Sequence, residues 1–340
     1  MALLTKEYES LSRSEIAEKL ADAYDASRIT VIRVLNELLA QDLIQILGSG
    51  PATRYKATSI TRILRSIDVD AYFAAAQDDR YLVGTDNATF FKELKATPLL
   101  SDREIKHVDD VNKHFRERIA DRADEVYRRE LHRFTVDLAW KSSRIEGNTY
   151  SLLETEELLS TLRGASGRTE LETLMILNHK KALDRIMANA SSYRPLKTTS
   201  VFDIHALLTA NLGITPGVRT RPVGIVGTNY LPSGTAEVLK REVKQAVAVA
   251  NAKQHPVEAA LVISGLIAYL QPFIDGNKRT ARLVANALLL AHEYAPISYR
   301  SVNEVAYKKA VLLIDEQQCF SVYKEVFLEQ FEFAAENYFI

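Results

Sequence analysis

The residues best suited to chemistry lie in one stretch, Leu270-Gln271-Pro272-Phe273-Ile274-Asp275-Gly276-Asn277-Lys278-Arg279-Thr280-Ala281-Arg282, which reads as a loop running into a helix. Gly276 lets backbone approach a ligand closely. A helix starting near Asn277 turns unpaired N–H groups and a partial positive charge toward whatever sits in the loop, which suits phosphate. Arg279 and Arg282 are three apart and share a helix face, where two guanidinium forks can clamp a polyphosphate, and Asp275 can hold a divalent metal. The apolar Leu283, Val284, Ala287, Leu288 and Ala291 define a second face, expected to be core.

These residues resemble the signature of the Fic family, His-x-Phe-x-Asp/Glu-Gly-Asn-Gly/Lys-Arg-x-x-Arg. Phe273, Asp275, Gly276, Asn277, Lys278, Arg279 and Arg282 match, and Gln271 stands where the family has its catalytic histidine. The resemblance implies a helical enzyme that transfers AMP from ATP to a protein hydroxyl, with ATP and Mg²⁺ as cofactors. It implies Asp275 for the metal, Gly276, Asn277 and Lys278 with the two arginines for the nucleotide, and position 271, with Asn277 and Arg279, for catalysis. A glutamine amide has no proton-accepting state near neutral pH, and loss of a general base typically costs about 10²–10⁴ in rate.

The elements that must position this loop follow from the rest of the chain. At 340 residues, the chain has room for two or three domains. Net charge is −1 with both signs mixed, so no global field argues for nucleic acid or an anionic membrane. The single cysteine, Cys319, excludes an internal disulfide framework and a multi-cysteine zinc site and fits a reducing cytoplasm. The start lacks the pattern of a secretory signal. The near-apolar run from Val257 to Leu270 is too short for a bilayer core of about 30 Å, so it is expected as a buried helix delivering the signature loop.

Residues 1–60 read as helix, turn, helix and hairpin. Ser12 to Glu15 offers a capping box, a turn falls near Asp25-Ala26-Ser27, Ile29, Ile32, Leu35, Leu38 and Leu39 form a stripe, and two short strands flank Gly48-Ser49-Gly50-Pro51. The order resembles a winged helix-turn-helix, which implies DNA contacts from Arg28 and Arg33, with Arg54 and Lys56 on the wing. Against this, the segment holds seven Lys/Arg and eight Asp/Glu, where DNA readers usually carry a basic surplus. A protein-contacting use of the same module stays open. Residues 61–130 are expected as a helical connector, in which Ser101 to Arg129 carries a narrow apolar stripe for packing on the neighbouring domain or for a homodimer contact.

Residues 131–340 are expected as the catalytic-type domain, opening with a helix over 131–147 that stops at Gly147. Its end, Ser142 to Asn148, resembles the family's inhibitory motif, Ser/Thr-x-x-x-Glu-Gly/Asn. That likeness implies that Ser142, Glu146 and Gly147 form a brake, with Glu146 pairing Arg282 and taking the space of the γ-phosphate. Asn178, His179 and His205 are expected as buried hydrogen-bonding residues. The turn-rich segment from Pro216 to Pro232 is expected as a β-hairpin. By the resemblance it is the flap that docks a target protein through Gly224, Ile225, Val226 and Gly227, with Tyr230 near the nucleotide. The fold class is therefore mainly α: a helical Fic fold with a hairpin flap behind a small winged helix-turn-helix. Two functions follow, an adenylyltransferase restrained by Glu146 and weakened or silenced by Gln271, or a non-enzymatic, ATP-binding transcriptional regulator.

Overall fold

The computed structural model describes residues 10–21, 27–41, 43–83, 86–120 and 123–339. The first module comprises β1 (Leu11–Ser12), α1 (Arg13–Ala21), α2 (Arg28–Ala40), β2 (Ile44–Leu47) and β3 (Arg54–Ala57). The strands form an antiparallel sheet in the order β1-β3-β2, with Tyr55 opposite both Leu11 and Ile46. The expected capping box is present: the Ser12 N–H donates to Glu15 Oε2 at 2.6 Å, and the Glu15 N–H donates to Ser12 Oγ at 3.3 Å. The stripe on α2 falls differently from expectation. Because the helix begins at Arg28, Val31 and Leu35 turn into a small core with Ile16, Ile44 and Tyr55, while Ile29 is 80% exposed. The turn placed at residues 25–26 lies outside the described residues.

Residues 59–120 do more than connect. They form α3 (Ser59–Leu64), α4 (Val69–Ala74), α5 (Asn87–Ala96) and α6 (Asp102–Ala120), and Ile63, Phe90, Phe91, Leu94, Val108 and Phe115 are buried in the main core. The apolar stripe of α6 is thereby used inside the chain, with Ile105 and Ile119 packed at its margins.

The main body continues with α7 (Asp124–Ile145), α8 (Leu152–Thr161), α9 (Glu170–Ala188), α10 (Thr198–Leu208), α11 (Ala236–Asn251), α12 (Pro256–Leu270), α13 (Asn277–Ala291), α14 (Glu304–Gln317) and α15 (Ser321–Asn337). Every residue of α12 from Val257 to Leu270 is buried, as its apolar composition requires, and α12 packs against α11 and α13. Among the described residues no helix is long and apolar enough to cross a membrane. The helix expected over 131–147 is the second half of the longer α7, which ends as predicted: Glu146 caps it and Gly147 takes φ +96°, a conformation that favours glycine.

The segment from Pro216 to Pro232 is not a hairpin with paired strands. It is an extended loop that turns at Val226–Gly227. Pro222 and Pro232 bring no N–H to a ladder, and a buried guanidinium does the bracing instead. Arg219, 1% exposed, donates to the carbonyls of Gln271 (2.7 Å), Arg221 (2.9 Å) and Ser233 (2.6 Å), while its own N–H bonds the Pro272 carbonyl at 2.9 Å. The loop is thus tied to the stretch that opens α13.

Candidate active site

Gln271 ends α12 in a left-handed conformation (φ 45°, ψ 55°), the turn that Pro272 imposes by disfavouring helix before it. Its side-chain Nε2 donates to the Ala268 carbonyl at 2.6 Å, which fixes the amide as a buried hydrogen-bond donor. Phe273 then inserts, stacked on His205 with ring centroids 3.6 Å apart, and His205 Nε2 donates to the Asp275 carbonyl at 3.0 Å. Burial pushes the His205 imidazole below its ordinary pKa, so it stays neutral while it holds the loop.

Gly276 is the N-cap of α13 at φ 80°, and a Cβ there would lie 3.1 Å from the Thr209 methyl carbon. Both needs, the positive φ and the close approach, call for glycine. The Thr280 N–H bonds the Gly276 carbonyl at 2.9 Å, so helix geometry leaves the N–H groups of residues 277–279 without intrahelical acceptors. The Asn277 side chain is engaged at both ends, accepting from the Phe273 N–H at 2.8 Å and donating to its carbonyl at 2.9 Å. What Asn277 offers a ligand is its backbone N–H and the loop shape that it holds.

The two arginines follow on one buried face. Arg282 is fully buried and fully engaged. Its Nε donates to Ser142 Oγ (2.9 Å), and its Nη2 donates to the Ser142 carbonyl (2.8 Å) and to Glu146 Oε1 (2.8 Å). Tyr307 accepts from Nη1 at 3.4 Å. Ser142 is itself held by His179 Nε2 at 2.9 Å, as expected of a buried histidine linking helices. Burial alone would raise the Glu146 carboxyl, yet the nearby Arg282 and Lys278 cations outweigh it and hold the pKa below the ordinary value.

Arg279 is 1% exposed and pairs with Asp275 Oδ2 at 3.0 Å through Nη2, but its Nε and Nη1 are buried without a partner. Burial lowers its pKa, the mark of a cation with too few acceptors. Two orphaned donors beside a helix N-terminus fit a phosphate group. Asp275 is mostly exposed, and the described residues include no group of three or more His, Cys, Asp or Glu side chains able to hold a metal ion.

Two features carried no sequence signal. Asp315, on α14, is 3% exposed with both carboxylate oxygens unpartnered, and burial pushes its pKa up strongly. Arg219 was masked by its turn-rich surroundings. Of the other expected residues, Tyr230 packs against the main core, stacked on Tyr269 at 4.9 Å, whereas Val226 is 97% exposed at the loop tip. Gly224 is exposed, and Ile225 and Gly227 are half-buried. In the first module Arg33 is exposed and Lys56 half-buried, while the Arg28 side chain lies outside the described residues. Arg54, expected on the wing, stays partly exposed and also braces the module: Nε donates to the Ser10 carbonyl at 2.8 Å and Nη2 meets Glu15 at 3.0 Å.

Comparison with known proteins bears on this geometry. Residues 195–289 match the Fic/DOC family model. A protein adenylyltransferase Fic from Drosophila ananassae is 26% identical over 156 residues, covering 45% of this chain and 31% of the relative. Its counterpart from Drosophila persimilis is 28% identical over 163 residues, 46% of this chain and 32% of the relative. The chain thus spans about a third of the length of the curated relatives it matches. Among solved structures, Fic-1 from C. elegans superposes with a TM-score of 0.60 at 18% identity over 74% of this chain and 79% of that one. A Fic domain containing signaling protein from Bacteroides thetaiotaomicron VPI-5482 gives 0.56 at 20% identity over 68% and 92%.

Proposed function

We propose, for a chain that carries a Fic domain in the helical fold of those structures, that it binds ATP at the α13 N-terminus as a Fic-type adenylyltransferase scaffold. Glu146 restrains it, and Gln271 leaves it without the general base. The observation that carries this reading is the pair of arginines on α13: one held by Glu146 at 2.8 Å, the other with two buried donors free. The N–H groups of residues 277–279 and the Arg279 fork would hold phosphate oxygens, and Arg282 would join them once Glu146 let go. A bound Mg²⁺ would supply charge neutralisation along the phosphates beside Asp275. The exposed Gly224 and Val226, next to the half-buried Ile225 and Gly227, offer backbone to which a target segment could add as a strand.

Calorimetry tests the restraint. Glu146→Gly is expected to tighten ATP binding roughly tenfold, because the nucleotide no longer competes for Arg282; unchanged affinity sinks the brake. In that background Gln271→His should yield AMP-labelled protein from labelled ATP, and no label on the chain itself or in lysate counts against transfer.

A second reading, a non-enzymatic regulator that senses ATP and binds DNA through residues 1–60, draws support from the Gln271 amide. It is a buried donor engaged with Ala268 and has nothing to offer as a base. Gel shifts with DNA from upstream of the protein's own gene separate the readings: a retarded band lost in Arg33→Ala supports the regulator, and no band removes its DNA-binding half.

A further inference from the structure

The Val226–Gly227 turn has few backbone bonds of its own, yet residues from a distant part of the sequence grip it. Between α4 and α5 the chain makes a short helical turn, Gln77–Asp79, and passes along the C-terminal end of α14. The Arg80 side chain, 8% exposed, sits between two anchors. Its guanidinium pairs with Glu316, with Nε at 3.1 Å from Oε2 and Nη2 at 3.0 Å from Oε1, and the same Nη2 donates to the Gly227 carbonyl.

Three and two residues earlier, the same segment closes a reciprocal contact with the loop. Gln77 Nε2 donates to Asn229 Oδ1 at 2.7 Å, and Asn229 Nδ2 donates back to Asp78 Oδ1 at 2.9 Å. The anchor on α14 is itself well fixed. The Glu316 carbonyl accepts from the Val83 N–H at 2.8 Å, and its carboxylate, 1% exposed, also accepts from the Tyr72 hydroxyl at 2.6 Å. On the other side the turn lies against α14, where a Cβ at Gly227 would sit 3.5 Å from Leu312 Cδ1. The turn is therefore clamped between α14 and residues 77–80.

We infer that residues 77–83 are a strap and that Arg80 is a positioning residue, fixing the Val226–Gly227 turn on α14 and so setting the place of the backbone to which a target segment would add. The inference rests on reading residues 224–227 as the target-docking edge. A lysine cannot reproduce it. Its single ammonium can answer the Glu316 charge, but it lacks the planar fork that reaches a carboxylate and a carbonyl at once. Charge balance at Glu316 and positioning of the turn are thus separable.

The experiment places a nitroxide at Val226→Cys in the full chain. Val226 is 97% exposed and the one native cysteine, Cys319, is buried, so the label goes to the loop tip. Arg80→Lys is expected to shorten the rotational correlation time of the label about threefold, and Gln77→Ala, at an exposed side chain, to shorten it less. Lys113→Ala, which removes an exposed pair with Glu117 on α6, away from the strap, is expected to leave the spectrum unchanged. Spectra of Arg80→Lys and Gln77→Ala that superpose on the parent overturn the strap. If Arg80→Lys does not fold, Gln77→Ala decides alone. No nucleotide or target is present in this measurement, so failure of AMP transfer after Gln271→His speaks against the proposed function and leaves the strap standing.

Discussion

Arg279 and Arg282 lie almost one turn apart on α13, and both are essentially removed from solvent, yet their surroundings are opposite. Arg282 has acceptors on all three nitrogens: Ser142, Glu146 and Tyr307. Arg279 has one, Asp275, and two bare donors. A buried cation short of acceptors is costly, so of the two it is Arg279 that an anion would relieve. The satisfied arginine is equally informative. Its acceptors all come from other elements, α7 with its Glu146 cap and α14, so the contacts that hold Arg282 also join helices of the core.

The comparison breaks most visibly at Arg282. Arg282→Ala strips partners from Glu146, Ser142 and Tyr307 together, and truncating one side of a buried pair typically costs about 3–5 kcal/mol. Urea unfolding should show a loss of that size, and a loss below about 1 kcal/mol would mean that the Glu146 pair contributes no more than a surface contact.

His179 offers a subtler probe, because it holds the Ser142 that Arg282 grips. Burial, followed by the repulsion of Arg279 and Arg282, lowers its pKa from 6.5 to about 3. The folded chain therefore stays unprotonated there while the unfolded chain takes up a proton below pH 6.5. The unfolded state binds more protons across that window, so stability falls as pH falls from 6.5 toward 3. Between pH 7 and 5 this contribution amounts to about 2 kcal/mol. Unfolding at the two pH values should show the parent losing about that much more than His179→Gln; equal losses would place the acid sensitivity elsewhere.

The same contrast explains how much was legible in the sequence. The turn at Gly276 and the two arginines on one helix face were, because residue type and spacing carry them, while the Glu146–Arg282 pair was reached through the resemblance of Ser142 to Asn148 to a family motif. The buried helix Val257–Leu270 was legible from its composition. The backbone of residues 216–232 was misjudged because an arginine, and not a strand partner, braces it, and the contacts of Arg219 appear only when Gln271 and Ser233 come together in space. Residues 61–130 read as connector because Phe90, Phe91 and Phe115 find their partners in helices far along the chain. The bracing contact of Arg54 was hidden for a similar reason: a basic residue on a strand shows no partner until Glu15 is seen beside it. Asp315 and Arg80 are the limiting cases, since being unpartnered or bridging is a property of the packed molecule alone.

The smallest expected change in stability falls at Arg279, and it sharpens the comparison further. With one ion pair to an exposed Asp275 set against the burial of two unpartnered donors, Arg279→Met should alter unfolding free energy by less than about 1 kcal/mol, in either direction. Ligand binding should respond in the opposite order. In the Glu146→Gly background the same substitution removes hydrogen bonds to a charged phosphate, worth about 1.5–3 kcal/mol, so ATP should bind roughly 10–100-fold more weakly by calorimetry. A large loss of stability with little change in affinity would reverse the roles of the two arginines, making Arg279 the structural member and leaving the α13 N-terminus without its anion.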